Sequence, residues 1–264
     1  MTLIVGILCT DGVVLAADSA ATFAAVGRAT IGQQEMRKVT RLNDHILFSS
    51  TGAVGIGQII SDRVLWLWNN NHLGGDKTPD AVMNELGKEI RALVHPYMET
   101  GRLQHQLTGD ASSSLCKSIV ALPVKNRAHL FNFDCSGAPE RSSTDLPFIS
   151  LGSGQPIADP FLAFLARIAW GGSQPDVAQG RLAAIWTISH VCVTNPGGVG
   201  GSIRLSTLLN RANSQPEVIE SSDAEIQEHL QKVAVAESAI ASGLKGEIRA
   251  DVQPIQIPEV SATQ

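Results

Sequence analysis

No stretch of this 264-residue chain is apolar for long enough to cross a bilayer, which takes ~18 consecutive residues. The start lacks the charged n-region, apolar core and cleavage site of a secretory signal, so a soluble, cytoplasmic protein with no membrane partner is expected. Basic residues are also short in supply: 20 Lys and Arg stand against 25 Asp and Glu, for a formal charge of −5. A nucleic-acid surface needs clustered Lys and Arg on a basic background, so that class of partner is excluded. Cysteine is sparse, with Cys9, Cys116, Cys135 and Cys192 scattered and no CxxC pair. Buried, reduced thiols are expected rather than a disulfide framework or a metal site. The chain has no phosphate-binding P-loop and no solenoid-type repeat, and nothing in it calls for a cofactor.

What is present is an ordinary globular balance, 44% hydrophobic and 17% charged, enough for one large domain or two small ones. Leu3–Leu8 and Val13–Ala17 are short apolar runs joined by Thr10-Asp11-Gly12, an Asp-Gly hairpin signal. Arg28–Ile31, Met36–Leu42 and His45–Ser50 continue the strand pattern. Thr51–Gly57, rich in small residues, opens a helix whose apolar positions include Ile60, Val64 and Trp68. Thr78 as N-cap and Pro79 at the first helical position start another, with Val82, Leu86, Ile90 and Val94 on one face. Strands are read again at Ser114–Leu122, His129–Asp134 and Leu146–Leu151, helices at Pro156–Trp170 and Asp176–Val193, and a strand at Ser202–Leu205.

That order of strands, two helices, strands, two helices, strands predicts an α+β domain: a four-layer αββα sandwich, with two antiparallel sheets face to face and a helix pair outside each. The domain is expected to span 1–209. Residues 210–264 read as a C-terminal extension, with a capping box at Ser222-x-x-Glu225, an amphipathic helix over 222–243 and an extended tail containing Pro254 and Pro258.

Thr2 follows the initiator methionine. A methionine beside so small a residue is expected to be trimmed, which places a free α-amino group on a residue that also carries a hydroxyl. Nucleophile and base then share one side of one residue. The α-amine titrates near ~8 in reference peptides, and a neighbouring ammonium would lower it and steady negative charge on the oxygen. Such a site needs a lysine held by an acid. Asp18 ends an apolar strand, where an unpaired carboxylate is costly. Lys38 falls inside the strand read at Met36–Leu42. Both could face solvent, but their placement on strands next to the N-terminal one favours a buried pair.

Thr2-Leu-Ile-Val-Gly, Asp11-Gly-Val-Val-Leu-Ala-Ala-Asp18-Ser19, Arg37-Lys38-Val39, Thr51-Gly52 and Leu151-Gly152-Ser153-Gly154 together resemble the proteasome β-subunit family, N-terminal-nucleophile (Ntn) hydrolases with bacterial homologues. The resemblance covers residues 2–209 and implies the roles. Thr2 would be nucleophile and, through its amine, base; Lys38 would lower the relevant pKa values, and Asp18 would hold Lys38. The Gly52 N–H would form the oxyanion hole, and Ser153 would bond the Thr2 amine. Thr22 and Val54 would bind substrate backbone, and Ser50 would floor the pocket for the residue before the scissile bond. No metal is implied.

Between Thr194 and Gly201 the chain departs from the family pattern: Asn195 stands where an Asp belongs and Val199 where a Ser belongs. Asn195 can still accept a hydrogen bond, and slower or differently tuned catalysis is the expectation. The leading reading is a threonine peptidase acting on peptides or unfolded proteins inside stacked homo-oligomeric rings, to which an ATP-dependent unfoldase is a conceivable partner. A catalytically silent ring-forming subunit of the same fold, or an Ntn amidase acting on a small amide, are the alternatives.

Overall fold

The structure, a computed structural model, describes residues 2–25, 28–109, 114–195 and 199–246, with only the backbone described for 21–25 and 28–34. The tail around Pro254 and Pro258, and the Pro196–Gly198 part of the glycine cluster, lie outside the described residues.

The first sheet takes in β1 (Leu3–Cys9), β2 (Gly12–Asp18), β10 (Phe148–Gly152), β11 (Ile203–Arg211) and β12 (Ser214–Glu220), in the order β10-β1-β2-β11-β12. A second holds β5 (Val39–Asn43), β6 (Ile46–Gly52), β7 (Cys116–Val124), β8 (Arg127–Phe133) and β9 (Pro139–Arg141) in sequential order. All neighbouring strands are antiparallel. β3 (Ala20–Ala25) and β4 (Arg28–Glu35) form a separate hairpin.

The unbroken apolar runs of β1 and β2 follow from burial on both faces. Val5, Ile7, Val14 and Ala16 face a helical layer, while Ile4, Val13, Leu15 and Ala17 meet Leu47, Ile119 and Leu130 of the second sheet. On the first sheet that layer is α3 (Gln155–Leu165) and α4 (Val177–Thr194); on the second, α1 (Val54–Asn69) and α2 (Pro79–Thr108) cover Phe48, Val120 and Phe131. Three apolar layers between four structural ones make the αββα sandwich.

The local signals act as physical chemistry predicts. Thr78 Oγ1 accepts from the Ala81 amide, and Asp176 and Ser222 each close a capping box, on α4 and on α5 (Asp223–Leu244). α5 lies on α4 through Ile226 and Val233, and Trp186 Nε1 donates to Glu237 at 2.8 Å. Among the described residues no helix is long and apolar enough to cross a membrane.

Several boundaries differ from the sequence reading. Lys38 is not inside a strand: it precedes β5, and its carbonyl accepts from Ser49 Oγ at 2.6 Å. The alanine-rich β3 and the three-residue β9 carry little strand propensity and were not expected. The third helix stops at Leu165 and continues as a π-helical turn, Ala166–Trp170. The boundary expected at 209 falls inside β11, and β12 adds to the same sheet.

Burial, reinforced by Arg141 and Arg127, pushes the His129 imidazole on β8 down from 6.5 to about 4. Between those values the unfolded chain binds the proton first, so stability falls as the pH drops through that window. Replacing His129 by phenylalanine is expected to flatten this acid limb by about 1–2 kcal/mol, allowing for screening at a partly exposed site. Melts of both proteins on either side of the window read it, and identical slopes would assign the acid limb to other groups.

Candidate active site

The antiparallel register of β1 and β2, with Ile4 opposite Ala17, brings the end of one strand to the start of the other. Asp18 therefore lies beside the Leu3 amide, one residue from Thr2. Its Oδ1 accepts from Leu3 N at 2.8 Å and from Lys38 Nζ at 2.7 Å, and its Oδ2 accepts from Gly200 N at 3.2 Å. The Asp18 side chain is 0% exposed and that of Lys38 5%. So deep a carboxylate is tolerable only with donors on both oxygens. Lys38 makes a second bond to the Ala20 carbonyl at 2.7 Å. Burial pushes its ammonium below the ordinary lysine range, and Asp18 opposes that shift.

Thr2 is held from the other side by the turn that follows β10. Its nitrogen donates to Ser153 Oγ at 3.2 Å, and its carbonyl accepts from Gly154 N at 3.3 Å. Gly152 makes this closure possible: at φ +107 a Cβ there would stand 2.0 Å from the Thr2 carbonyl oxygen. Gly52, at φ +103, is similarly constrained, since a Cβ would stand 2.1 Å from the Leu115 carbonyl oxygen. It ends β6 just before α1 begins.

These elements enclose a cavity of about 460 Å³. Thr2, Lys38, Gly52 and Ser153 line it together with Ser50 and Val54. Six of the residues singled out from sequence thus meet in one place, with Asp18 beneath them bound to Lys38. Thr22 lies on β3 opposite Gln33, its side chain outside those described. Asn195 ends α4, its N–H bonded to the Val191 carbonyl, and it is not among the described residues lining the cavity. Val199 is buried in the core beside Gly154.

What reaches Asp18 from this stretch is the Gly200 amide. Sequence reasoning did not find that contact, nor the Leu3 amide or Ala20 carbonyl. All three are backbone groups, for which residue identity carries almost no signal; the glycine cluster at 197–201 was the nearest hint. Cys192 also lies near the pair, but burial and the Asp18 charge push its thiol up to about 11, so it stays protonated at neutral pH.

Layering and site together define a proteasome-like Ntn fold. A family model described as "Proteasome subunit" matches residues 2–167, and the chain belongs to that family. A proteasome subunit alpha from Methanococcus maripaludis (strain C6) is 28% identical over 157 residues, covering 60% of this chain and 53% of the relative. The chain thus spans about half the length of that relative. A proteasome subunit beta from the C5 strain of the same species is 27% identical over 237 residues, covering 88% of this chain and 92% of the relative. Among solved structures, the fold is similar to that in "Helical Assembly of the Anbu Complex from Pseudomonas aeruginosa" (TM-score 0.65, 15% identity, 99% of this chain and 100% of that one). It is also similar to "Anbu (ancestral beta-subunit) from Yersinia bercovieri" (TM-score 0.60, 14% identity, 97% and 100%).

Proposed function

We propose that this chain is a catalytic, β-type subunit of its family: a threonine peptidase that hydrolyses peptide bonds in the cytoplasm after Met1 is removed. The observation that carries the reading is the meeting of Thr2, Lys38, Gly52 and Ser153 at one cavity, with Asp18 and Lys38 paired at 2.7 Å behind them. Removal of Met1 would turn the Thr2 nitrogen, already bonded to Ser153, into the α-amine. That amine takes the hydroxyl proton as Thr2 Oγ1 attacks the scissile carbonyl. The Lys38 ammonium favours the alkoxide, and the Gly52 N–H receives the developing oxyanion. The ammonium so formed passes its proton to the departing nitrogen, the C–N bond breaks, and the ester left on Thr2 is hydrolysed by water to free the acid product and restore the hydroxyl.

The assembly is proposed to be a homo-oligomer built from heterologous contacts, which form rings when they close and helical filaments when they do not. The helical assembly of the Pseudomonas aeruginosa Anbu complex supports the second form.

Intact mass of the purified protein and turnover of fluorogenic peptides test the proposal together. Expected are loss of Met1, measurable hydrolysis, and a covalent adduct on Thr2 from a threonine-directed electrophile that abolishes it. Hydrolysis by a protein that retains Met1 would overturn Thr2 as nucleophile. A second reading, a catalytically silent subunit, is favoured by the match to proteasome alpha subunits, and a trimmed but inert and unlabelled protein would establish it.

A further inference from the structure

On the peptidase reading the cavity would receive the side chain of a bound peptide, and the charged residues that line it are of one sign. Among the described residues no Asp or Glu lines the cavity, whereas two cations do, Arg37 and Lys38. The carboxylates that balance them stand outside the lining: Asp18 lies behind Lys38, and Glu220, on β12, bonds Arg37 at 3.2 Å. The Arg37 side chain is 61% exposed, so it keeps donors for a further acceptor. Thr40, Ser50 and Gln58 add hydroxyl and amide groups to the walls.

We propose that this pocket selects by charge. Resting on the peptidase reading, the walls this chain contributes take a glutamate or glutamine before the scissile bond and reject lysine and arginine, with Arg37 as the specificity-determining residue. A glutamate carboxylate finds a guanidinium and neutral donors there, a charge-assisted arrangement. A glutamine amide is served by the hydroxyls. A lysine ammonium finds two like charges and no carboxylate on the described walls, and that repulsion is what excludes it. Glu220 restrains Arg37 by competing for it. It belongs to a strand 183 residues away in sequence, so the preference is set by tertiary contact.

Peptides identical except for Glu, Gln, Leu or Arg before a fluorogenic leaving group test this. The Glu peptide is expected to give the highest kcat/KM, the Gln peptide the next, and the Arg peptide at least about tenfold less than the Glu peptide. Arg37→Gln should erase the advantage of Glu over Gln, and Ser61→Asp, which adds an acid to the wall, should raise Arg above Glu. Glu220→Gln should raise turnover of the Glu peptide alone, by about twofold or more.

The same order is expected for binding of fluorescein-labelled versions to a Thr2→Ala protein, followed by anisotropy, which reads the pocket without turnover. Equal or tighter binding of the Arg peptide, no binding of any peptide, or an order unmoved by Arg37→Gln and Ser61→Asp would overturn the charge rule. Charge-ordered binding beside a wild-type protein that turns over nothing would overturn the peptidase reading and leave the charge rule standing.

Discussion

Exchanging Asp18 for alanine is expected to cost about 3–5 kcal/mol of folding stability, because it leaves the Lys38 ammonium buried without its carboxylate. The same change strips the Leu3 and Gly200 amides of their acceptor, and each buried donor left unmade adds to the loss. Denaturant unfolding at fixed protein concentration measures it. Asp18→Asn, which keeps an acceptor of similar size, should recover part of the loss. Adding Lys38→Met to Asp18→Ala should recover more, since the double variant buries no unpaired charge. A loss below about 1 kcal/mol would mean that Lys38 reaches solvent when Asp18 is gone, and the buried-pair account would fail.

Thr2→Ala is expected to lower peptide turnover by at least about 10³-fold while leaving the fold in place, because it removes one hydroxyl and no backbone bond. The Thr2 nitrogen and carbonyl make the contacts to Ser153 and Gly154, and alanine retains both groups. Alanine is also small, so removal of Met1 should proceed as in the parent. Thr2→Ser should keep detectable turnover, as it supplies a hydroxyl on the same carbon. The pairing of an unchanged melting midpoint with lost turnover separates chemistry from stability. An alanine variant with more than about a tenth of parental turnover would place the nucleophile elsewhere.

Much of this site could be read from residues in order. Thr2 before an apolar strand, Asp18 at the end of another, Lys38, Gly52 before a helix and Ser153 after Gly152 are side-chain or glycine signals, and the cavity collects all of them but Asp18, which lies behind Lys38. Lys38 shows the limit of such reading. Its pairing with Asp18 was anticipated but its place outside the strand was not, because strand periodicity does not reveal that β5 begins only at Val39. Likewise β3 and β9 escaped notice, one built of alanines and the other too short to show a period.

By itself the sequence determined the two-sided burial of β1 and β2, the capped helices and the kinds of chemistry available, since these depend on local periodicity and residue type. Only the tertiary structure decided how that chemistry is arranged. Gly200 and Ala20 act through backbone groups that every residue possesses, and Glu220 reaches Arg37 across 183 residues. Contacts of that kind follow from sheet register and layer packing, which depend on the whole chain.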